Sequence, residues 1–130
     1  MYMQAFKVIL GTSGKSYSLT IENNGEYFLM PSVTIDTKNT YILTLKALLG
    51  FIETLSKNVH EKVELYYYCT NFDVCYEWNN DYKKHKKFSQ SVKSLELWEK
   101  ILVLLEKYDI TLYIKNNNYL SFISKVNKCN

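Results

Sequence analysis

The stretch of residues 63–115 constrains the fold of this chain more than any other part of its sequence. It starts with an apolar run, VELYYYC, of the length expected for a buried strand, and a short helical pattern follows that Asn71 is positioned to cap. A lysine-rich stretch, DYKKHKKFSQS, separates this short helix from a long amphipathic helix that begins at Ser94. Residues 110–114 predict a last strand. Strand, helices and strand in this order predict a β-α-β crossover, which joins parallel strands.

The first 36 residues predict three antiparallel strands, over residues 5–11, 17–22 and 26–36. A turn is expected at Gly11-Thr12-Ser13-Gly14, and Asn23-Asn24-Gly25 predicts a tight hairpin because Asn and Gly tolerate positive φ. Pro31 places the third strand at a sheet edge or introduces a bulge, since Pro cannot donate to the ladder. Together with the crossovers, these strands predict an α/β fold. It is a mixed five-stranded sheet with helices on its faces.

Apolar residues at helical spacing predict three further features. A first long helix spans residues 41–57, with Thr37 or Thr40 as its N-cap. A short helix is expected over residues 119–128. The helix that begins at Ser94 should bury a stripe with Trp98 beside it, made of Leu97, Ile101, Leu104 and Leu105.

The composition is that of one domain over residues 1–130, with 47% hydrophobic residues to build a core. Cys69, Cys75 and Cys129 are an odd number without metal-binding spacing, and we expect reduced thiols in a cytoplasmic or nuclear protein. No apolar run reaches the length of a membrane span, so no membrane association is expected. Neither a metal nor a cofactor is expected.

The positive charge of this chain comes entirely from lysine. The formal net charge is +3, and all sixteen cationic residues are Lys, with no Arg. Arginine reads guanine edges through a planar fork that lysine lacks. The composition therefore argues against sequence-specific recognition of duplex DNA and leaves phosphate contacts open.

Three segments resemble a known family, the ribonuclease H domains. VKSLELWEKILVLLEK is similar to the family's Val-Lys-Asn-x-Asp-Leu-Trp helix, and TKNTYILTLKALLGFIETL resembles its Thr-Thr-Asn-Asn entry into the first helix. DYKKHKKFSQS stands where cellular members carry the basic protrusion that grips the hybrid substrate. The resemblance covers the element order of nearly the whole chain, and it implies a ribonuclease H-like mixed sheet.

The resemblance also implies where the family's four metal-binding carboxylates would lie. Those carboxylates hold two divalent ions that clamp a phosphodiester. In this chain the first position falls at Gly11 to Ser13, and the others at Thr44, Thr70 and Asn130. Every matching residue lacks a carboxylate, and hard cations such as Mg²⁺ require oxygen ligands of that kind. The resemblance therefore implies a pseudoenzyme, with a displaced acid cluster at Asp36, Glu53 or Asp73 as the alternative.

The lysine-rich stretch is the candidate nucleic-acid-binding site. Its cations could meet phosphates while neighbouring aromatic rings stack on bases or sugars, although a run of lysines is also typical of a solvated loop. The residues assigned to this role are Trp78, Tyr82, Lys83, Lys84, Lys86 and Lys87. Expected partners are an RNA–DNA hybrid or single-stranded nucleic acid.

The function predicted from these observations is a catalytically inactive ribonuclease H-like module for binding or scaffolding, of viral or mobile-element origin. Two alternatives stay open. One is a protein-interaction or dimerisation module, or an inhibitor, that uses the edge strand near Pro31. The other is a divergent metal-dependent nuclease.

Overall fold

The computed structural model describes residues 3–89 and 92–116. The strands are β1 (Met3–Ser13), β2 (Ser16–Asn23), β3 (Glu26–Leu29), β4 (Val33–Thr34), β5 (Lys62–Cys69) and β6 (Ile110–Asn116). The helices are α1 (Thr40–Asn58), α2 (Phe72–Tyr76), α3 (Lys83–His85) and α4 (Leu95–Lys107). A π-helical segment, Glu77–Tyr82, joins α2 to α3.

The strands form one mixed sheet in the order β3-β2-β1-β5-β6, with β4 also paired to β2. The pairs β1–β2, β2–β3 and β2–β4 are antiparallel, whereas β1–β5 and β5–β6 are parallel. The parallel pairs follow from the two helical crossovers, because a parallel connection needs a segment long enough to return along the sheet. The predicted mixed α/β sheet is confirmed.

The N-terminal strands differ from the prediction in two places. The turn expected over residues 11–14 is wrong, because β1 continues to Ser13 and the chain reverses at Gly14, whose φ is +61°. The predicted third strand is interrupted at Pro31 into β3 and β4, both paired to β2 at the sheet edge. The hairpin at Asn24-Gly25 is confirmed, with positive φ at both residues.

Helix α1 is capped by Asn39, and the predicted caps Thr37 and Thr40 are wrong. The Asn39 side chain accepts hydrogen bonds from the backbone N–H groups of Tyr41 and Ile42, at 3.0 and 3.3 Å. The hydroxyl of Thr37 instead accepts from the Asn39 N–H at 3.1 Å. An Asn at this position satisfies two of the four unpaired N–H groups of the first turn.

The short helix after β5 is longer than predicted, and the lysine-rich stretch is partly helical. Asn71 caps α2 as expected by accepting from the Val74 N–H at 3.0 Å. The helical backbone then continues through the π-helical segment and α3 to His85, where a loop was expected. Lys86, with φ +60° in the left-handed region, ends it.

The core lies between one face of the sheet and helices α1, α2 and α4. Residues that pair across the strands face the same side, so Val8 lies beside Tyr67 and Ile21 in this core. On α4 the buried residues are Trp98, Ile101 and Leu105. The predicted stripe is therefore centred on Trp98, and its predicted members Leu97 and Leu104 are only half-buried. Trp98 is the buried residue because Trp78 of the π-helical segment packs on α4 at this position. The helix predicted over residues 119–128 lies outside the described residues.

Candidate functional site

The C-terminal ends of β1 and β5 lie next to each other at the start of α1. The parallel register pairs Ile9 with Tyr68; continued by two residues, it sets Gly11 of β1 level with Thr70, which directly follows β5. The Tyr67 hydroxyl donates to the Thr44 carbonyl at 2.7 Å and holds the first turns of α1 beside the end of β5. We call Gly11, Thr44 and Thr70, with the neighbouring Thr40 and Asn71, the strand-end site.

Hydroxyl and amide groups of the strand-end site are bonded within the fold. The buried Thr44 hydroxyl donates to the Thr40 carbonyl at 2.6 Å, and the Asn71 amide donates to the Thr40 hydroxyl at 3.4 Å. Within the described ranges, no three His, Cys, Asp or Glu side chains group closely enough to hold a metal ion. The chemistry of these donors is therefore unlike that of a two-magnesium centre, which needs several carboxylate oxygens.

Ser13, at the far end of the first matched position, does not join the strand-end site. Ser13 lies two residues beyond Gly11 and pairs with Ser16 at the end of the β1–β2 hairpin. The β1 residue level with Thr70 is thus Gly11 rather than Ser13, since β1 extends further than predicted. Asn130 and the residues after Asn116 lie outside the described residues.

The acids named as a displaced cluster are spread over the fold. Asp36 is fully exposed and lies 3.6 Å from Lys15. Glu53 is exposed on the fourth turn of α1. Only Asp73 lies near the strand-end site, and its carboxylate meets the Lys93 ammonium at 2.6 Å. Three dispersed carboxylates cannot act together on one ion.

Glu77 is a buried carboxylate that no sequence motif singled out as a site residue. Its side chain is 7% exposed and accepts hydrogen bonds from the Tyr41 hydroxyl, the Trp98 indole at 2.9 Å and the Lys93 backbone N–H at 3.3 Å. These donors lie on α1, on α4 and just before α4. Glu77 therefore connects the π-helical segment to α1 and α4. No sequence motif predicts these contacts.

The Tyr41 hydroxyl keeps its proton to a higher pH than an ordinary tyrosine does. Burial, and then the hydrogen bond to the Glu77 carboxylate, raise the pKa of Tyr41 above the ordinary value of 10.0. A phenolate beside a buried carboxylate would place two negative charges together. The neutral phenol is therefore the form that the fold requires.

We expect this raised pKa to make the protein less stable at alkaline pH. Above pH 10 an unfolded tyrosine releases a proton that folded Tyr41 retains, so unfolding is favoured as pH rises. Between pH 10 and 11 the wild type should lose up to about 1.4 kcal/mol more stability than Tyr41→Phe, measured by urea unfolding. The exposed Tyr76→Phe variant should keep the wild-type slope, and equal slopes in all three proteins would contradict the assignment.

A thiol pair lies beneath the strand-end site. Cys69 ends β5 and Cys75 lies on α2, with their sulfur atoms 3.6 Å apart and both thiols free, as predicted. The hydrogen bond to Cys75 and burial raise the pKa of the Cys69 thiol. A buried thiol with a raised pKa is a weak nucleophile, so Cys69 serves packing. The same hydrogen bond lowers the pKa of the Cys75 thiol.

The predicted lysine cluster is exposed and gains a member from β6. Lys83, Lys84, Lys86 and Lys87 all present their side chains to solvent. The Lys83 ammonium lies 4.7 Å from the centre of the Tyr113 ring. Desolvation first, and then the nearby Lys115 and Lys86 charges, lower the pKa of Lys83. We call these four lysines and Lys115 the lysine cluster.

The stacking role predicted for Trp78 is wrong, because Trp78 is 4% exposed and belongs to the core. Its ring packs on Tyr82 and Trp98, with centroids 4.9 and 5.7 Å apart. Tyr82 is half-buried and also stacks on Phe88 at 5.0 Å. These four rings form an internal aromatic cluster, so Tyr82 and Trp78 support the lysine cluster from below.

An exposed aromatic pair was missed by sequence reasoning. Phe72 and Tyr76 stack on each other on α2 with centroids 5.9 Å apart, and they are 68% and 48% exposed. The pair directly follows Thr70 and Asn71 of the strand-end site. Their spacing of four residues, at the first and last positions of a short helix, was the available signal.

Comparison with known proteins gives a structural answer only. No protein-family model and no curated protein matches this sequence. LC11-RNase H1, isolated from compost by a metagenomic approach, aligns with a TM-score of 0.59 at 13% identity, over 96% of this chain and 92% of that one.

Two structures of a foamy viral protease-reverse transcriptase also align. The first, in complex with double-stranded DNA, has a TM-score of 0.56 at 16% identity over 88% of this chain. The second, in complex with an RNA/DNA hybrid, has a TM-score of 0.53 at 11% identity over 96% of this chain. This chain spans only 21% and 19% of those viral chains. At these identities the likeness concerns the fold, and the chain is a ribonuclease H-like domain by its architecture.

Proposed function

We propose that this chain is a catalytically inactive ribonuclease H-like domain that binds nucleic acid without sequence preference. The observation that carries this proposal is the strand-end site. Where the family resemblance expects carboxylates on β1, α1 and β5, this chain has Gly11, Thr44 and Thr70. A threonine hydroxyl is a poor ligand for a hard divalent cation, and that of Thr44 is already bonded to the Thr40 carbonyl.

Binding is assigned to the lysine cluster. Ammonium groups on flexible stems meet phosphates as point charges and do not distinguish bases. The Phe72–Tyr76 pair offers exposed rings on which unpaired bases could stack, which favours single strands over fully paired helices. The structural neighbours in complex with double-stranded DNA and with an RNA/DNA hybrid support nucleic acid as the ligand class.

We expect no metal-dependent cleavage of an RNA–DNA hybrid. The purified protein, incubated with a labelled hybrid and either Mg²⁺ or Mn²⁺, should leave the hybrid intact, since the strand-end site offers no carboxylate pair. The same preparation should shift the hybrid in a gel at low salt, which shows that the protein is folded and bound. Hybrid cleavage that Thr70→Ala abolishes would identify an active divergent nuclease.

A second candidate function, self-association, is favoured by the edge of the sheet that β3 forms. In the described part of the chain, strand β3 pairs with β2 alone, and its apolar residues Tyr27, Phe28 and Leu29 are 69%, 51% and 76% exposed. An exposed apolar edge strand is a template for pairing with another strand. An antiparallel pair of two β3 strands would cover both edges with one two-fold interface.

We expect sedimentation velocity to show a concentration-dependent dimer that Leu29→Lys weakens at least about tenfold. Burying a leucine side chain contributes about 1.5–3 kcal/mol, and the lysine would place a charge in the interface. Val103→Lys, at an equally apolar and exposed position on α4, is the matched control and should leave the dimer unchanged. A monomer at all concentrations would exclude this second function.

A further inference from the structure

A groove of about 560 Å³ runs between α4 and the outer edge of β6. Helix α4 contributes Leu102, Leu105 and Glu106, and the strand contributes Ile110, Thr111 and Leu112. The groove continues over Trp78 and Tyr82 to the lysine cluster at Lys83 and Lys86. It lies on the far side of β6 from β5, at the edge opposite to β3.

The backbone of β6 presents unpaired groups to this groove. The Asp109 carbonyl accepts the Val63 N–H at 3.2 Å, so the backbone N–H and C=O groups of odd-numbered residues of this strand point toward β5. The backbone groups of even-numbered residues point away from β5, and the Asn79 amide donates to one of them, the Ile114 carbonyl, at 3.0 Å. Within residues 3–89 and 92–116, no strand pairs with the outward groups of Ile110 and Leu112. Another extended chain can therefore pair with this edge.

Trp78 supplies a second, independent sign of a ligand. Its indole nitrogen is buried and finds no acceptor among the described residues, although Trp78 lines the groove. The neighbouring Trp98 indole, in contrast, donates to Glu77. A buried N–H without a partner costs free energy, and an occupant whose carbonyl or carboxylate oxygen reached this nitrogen from the groove would remove that cost.

The two ends of the groove carry opposite charges. Lys83 and Lys86 lie at the end near Tyr113, and Glu106 lies at the end where β6 begins. The stretch of β6 between them spans about three residues, roughly 10 Å at ~3.3 Å per residue. An occupant with a carboxylate at one end and a cation at the other would match both ends.

We propose that this groove binds an extended peptide that adds a strand to the edge of β6. Its backbone pairs with Ile110 and Leu112, and its alternate apolar side chains pack on Leu102 and Leu105. An acidic residue of the peptide lies beside Lys83 and Lys86, and a basic residue lies beside Glu106. This site is separate from the strand-end site, and the proposal does not depend on nucleic-acid binding.

Two labelled peptides test the proposal, acetyl-Ser-Lys-Val-Thr-Val-Glu-Ser-amide and its charge-reversed form with Glu and Lys exchanged. One of them should bind by fluorescence polarisation, which also gives the strand direction. N-methylation of alternate peptide nitrogens along one edge should abolish binding, whereas the same change along the other edge should have little effect. Failure of both peptides to bind at 1 mM (roughly −4 kcal/mol), or binding unaffected by methylation of either edge, overturns the proposal.

Charge exchange supplies the protein-side control. Glu106→Lys should weaken the preferred peptide about fivefold or more and strengthen the charge-reversed peptide, because it inverts one end of the groove. Glu99→Lys, exposed on α4 outside the groove, should leave both affinities unchanged. If neither peptide binds while Glu106→Lys strengthens oligonucleotide binding, the groove belongs to nucleic acid and the peptide proposal fails.

The indole proton resonances report on Trp78 directly. On peptide addition the Trp78 indole N–H should move downfield as it gains an acceptor, while the Trp98 indole N–H, already bonded to Glu77, stays in place. Equal behaviour of the two indoles on saturation with peptide would refute the assigned donor role of Trp78.

Discussion

Replacing Glu77 by alanine should destabilise this domain by about 3–5 kcal/mol, the range found when one partner of a buried charged network is removed. The variant would leave the Tyr41 hydroxyl, the Trp98 indole and the Lys93 backbone N–H without their acceptor. Each buried donor that loses its partner costs about 1–3 kcal/mol. Urea unfolding followed by tryptophan fluorescence measures the change, since Trp78 and Trp98 lie in the core.

The conservative Glu77→Gln variant should fall between the wild type and alanine. Its carbonyl oxygen can still accept from Tyr41 and Trp98, but its NH₂ group would face the Lys93 N–H, and two donors repel each other. The matched control is Asp73→Asn, one helical turn away, which is half-exposed and loses only a contact to an exposed lysine. A Glu77→Ala protein as stable as the Asp73→Asn protein would show that the three helical segments are held together by packing alone.

The variant in which Lys83, Lys84, Lys86 and Lys87 are all alanine should bind a single strand or hybrid about 10³–10⁴-fold more weakly at 50 mM salt. Each phosphate contact releases counterions and contributes roughly a factor of ten at this salt concentration. The slope of log affinity against log salt should fall by about 2–3 units for the same reason. A gel shift or fluorescence titration over several salt concentrations gives both quantities.

The matched control for this variant removes four exposed lysines elsewhere, at Lys38, Lys46, Lys57 and Lys107. It changes the net charge by the same amount, so a general electrostatic effect would weaken both variants equally. We expect this control to retain most of the affinity. An unchanged shift by the variant of the lysine cluster would move nucleic-acid binding to another surface, for which the Phe72–Tyr76 pair is the first to test.

The periodic spacing of apolar residues, together with turn and helix-capping residues, made the architecture predictable from the sequence. The alternation in β2, the Asn24-Gly25 hairpin and the cap at Asn71 are local, because each depends on residues within a few positions of one another. The pairing of β5 with β6 followed from chain connectivity, since a helical crossover leads to a parallel strand. The identity of the residues at the strand-end site is likewise a property of the sequence alone, and it carries the proposal of an inactive domain.

Other features depended on contacts between segments far apart in the chain. Asp73 and Glu77 look alike in sequence, yet one is half-exposed and the other is buried among donors from α1 and α4. Trp78 and Phe72 are both aromatic residues near the lysines, and only packing against Trp98 makes the first a core residue and leaves the second exposed. Sequence patterns report local periodicity, whereas these differences arise from which surfaces the tertiary fold brings together.

The sequence by itself determined the order of elements, the lysine-only charge and the missing carboxylates at the matched positions. The tertiary structure alone decided which residues remain available for binding. It places Trp78 and Tyr82 in the aromatic cluster and adds Lys115 to the lysine cluster. Among the residues that the structure describes, it pairs no strand with the outer edge of β6 beside α4. The physical reason is that burial and hydrogen-bond pairing depend on the whole packed chain. The type and spacing of residues, in contrast, can be read from neighbouring positions in the sequence.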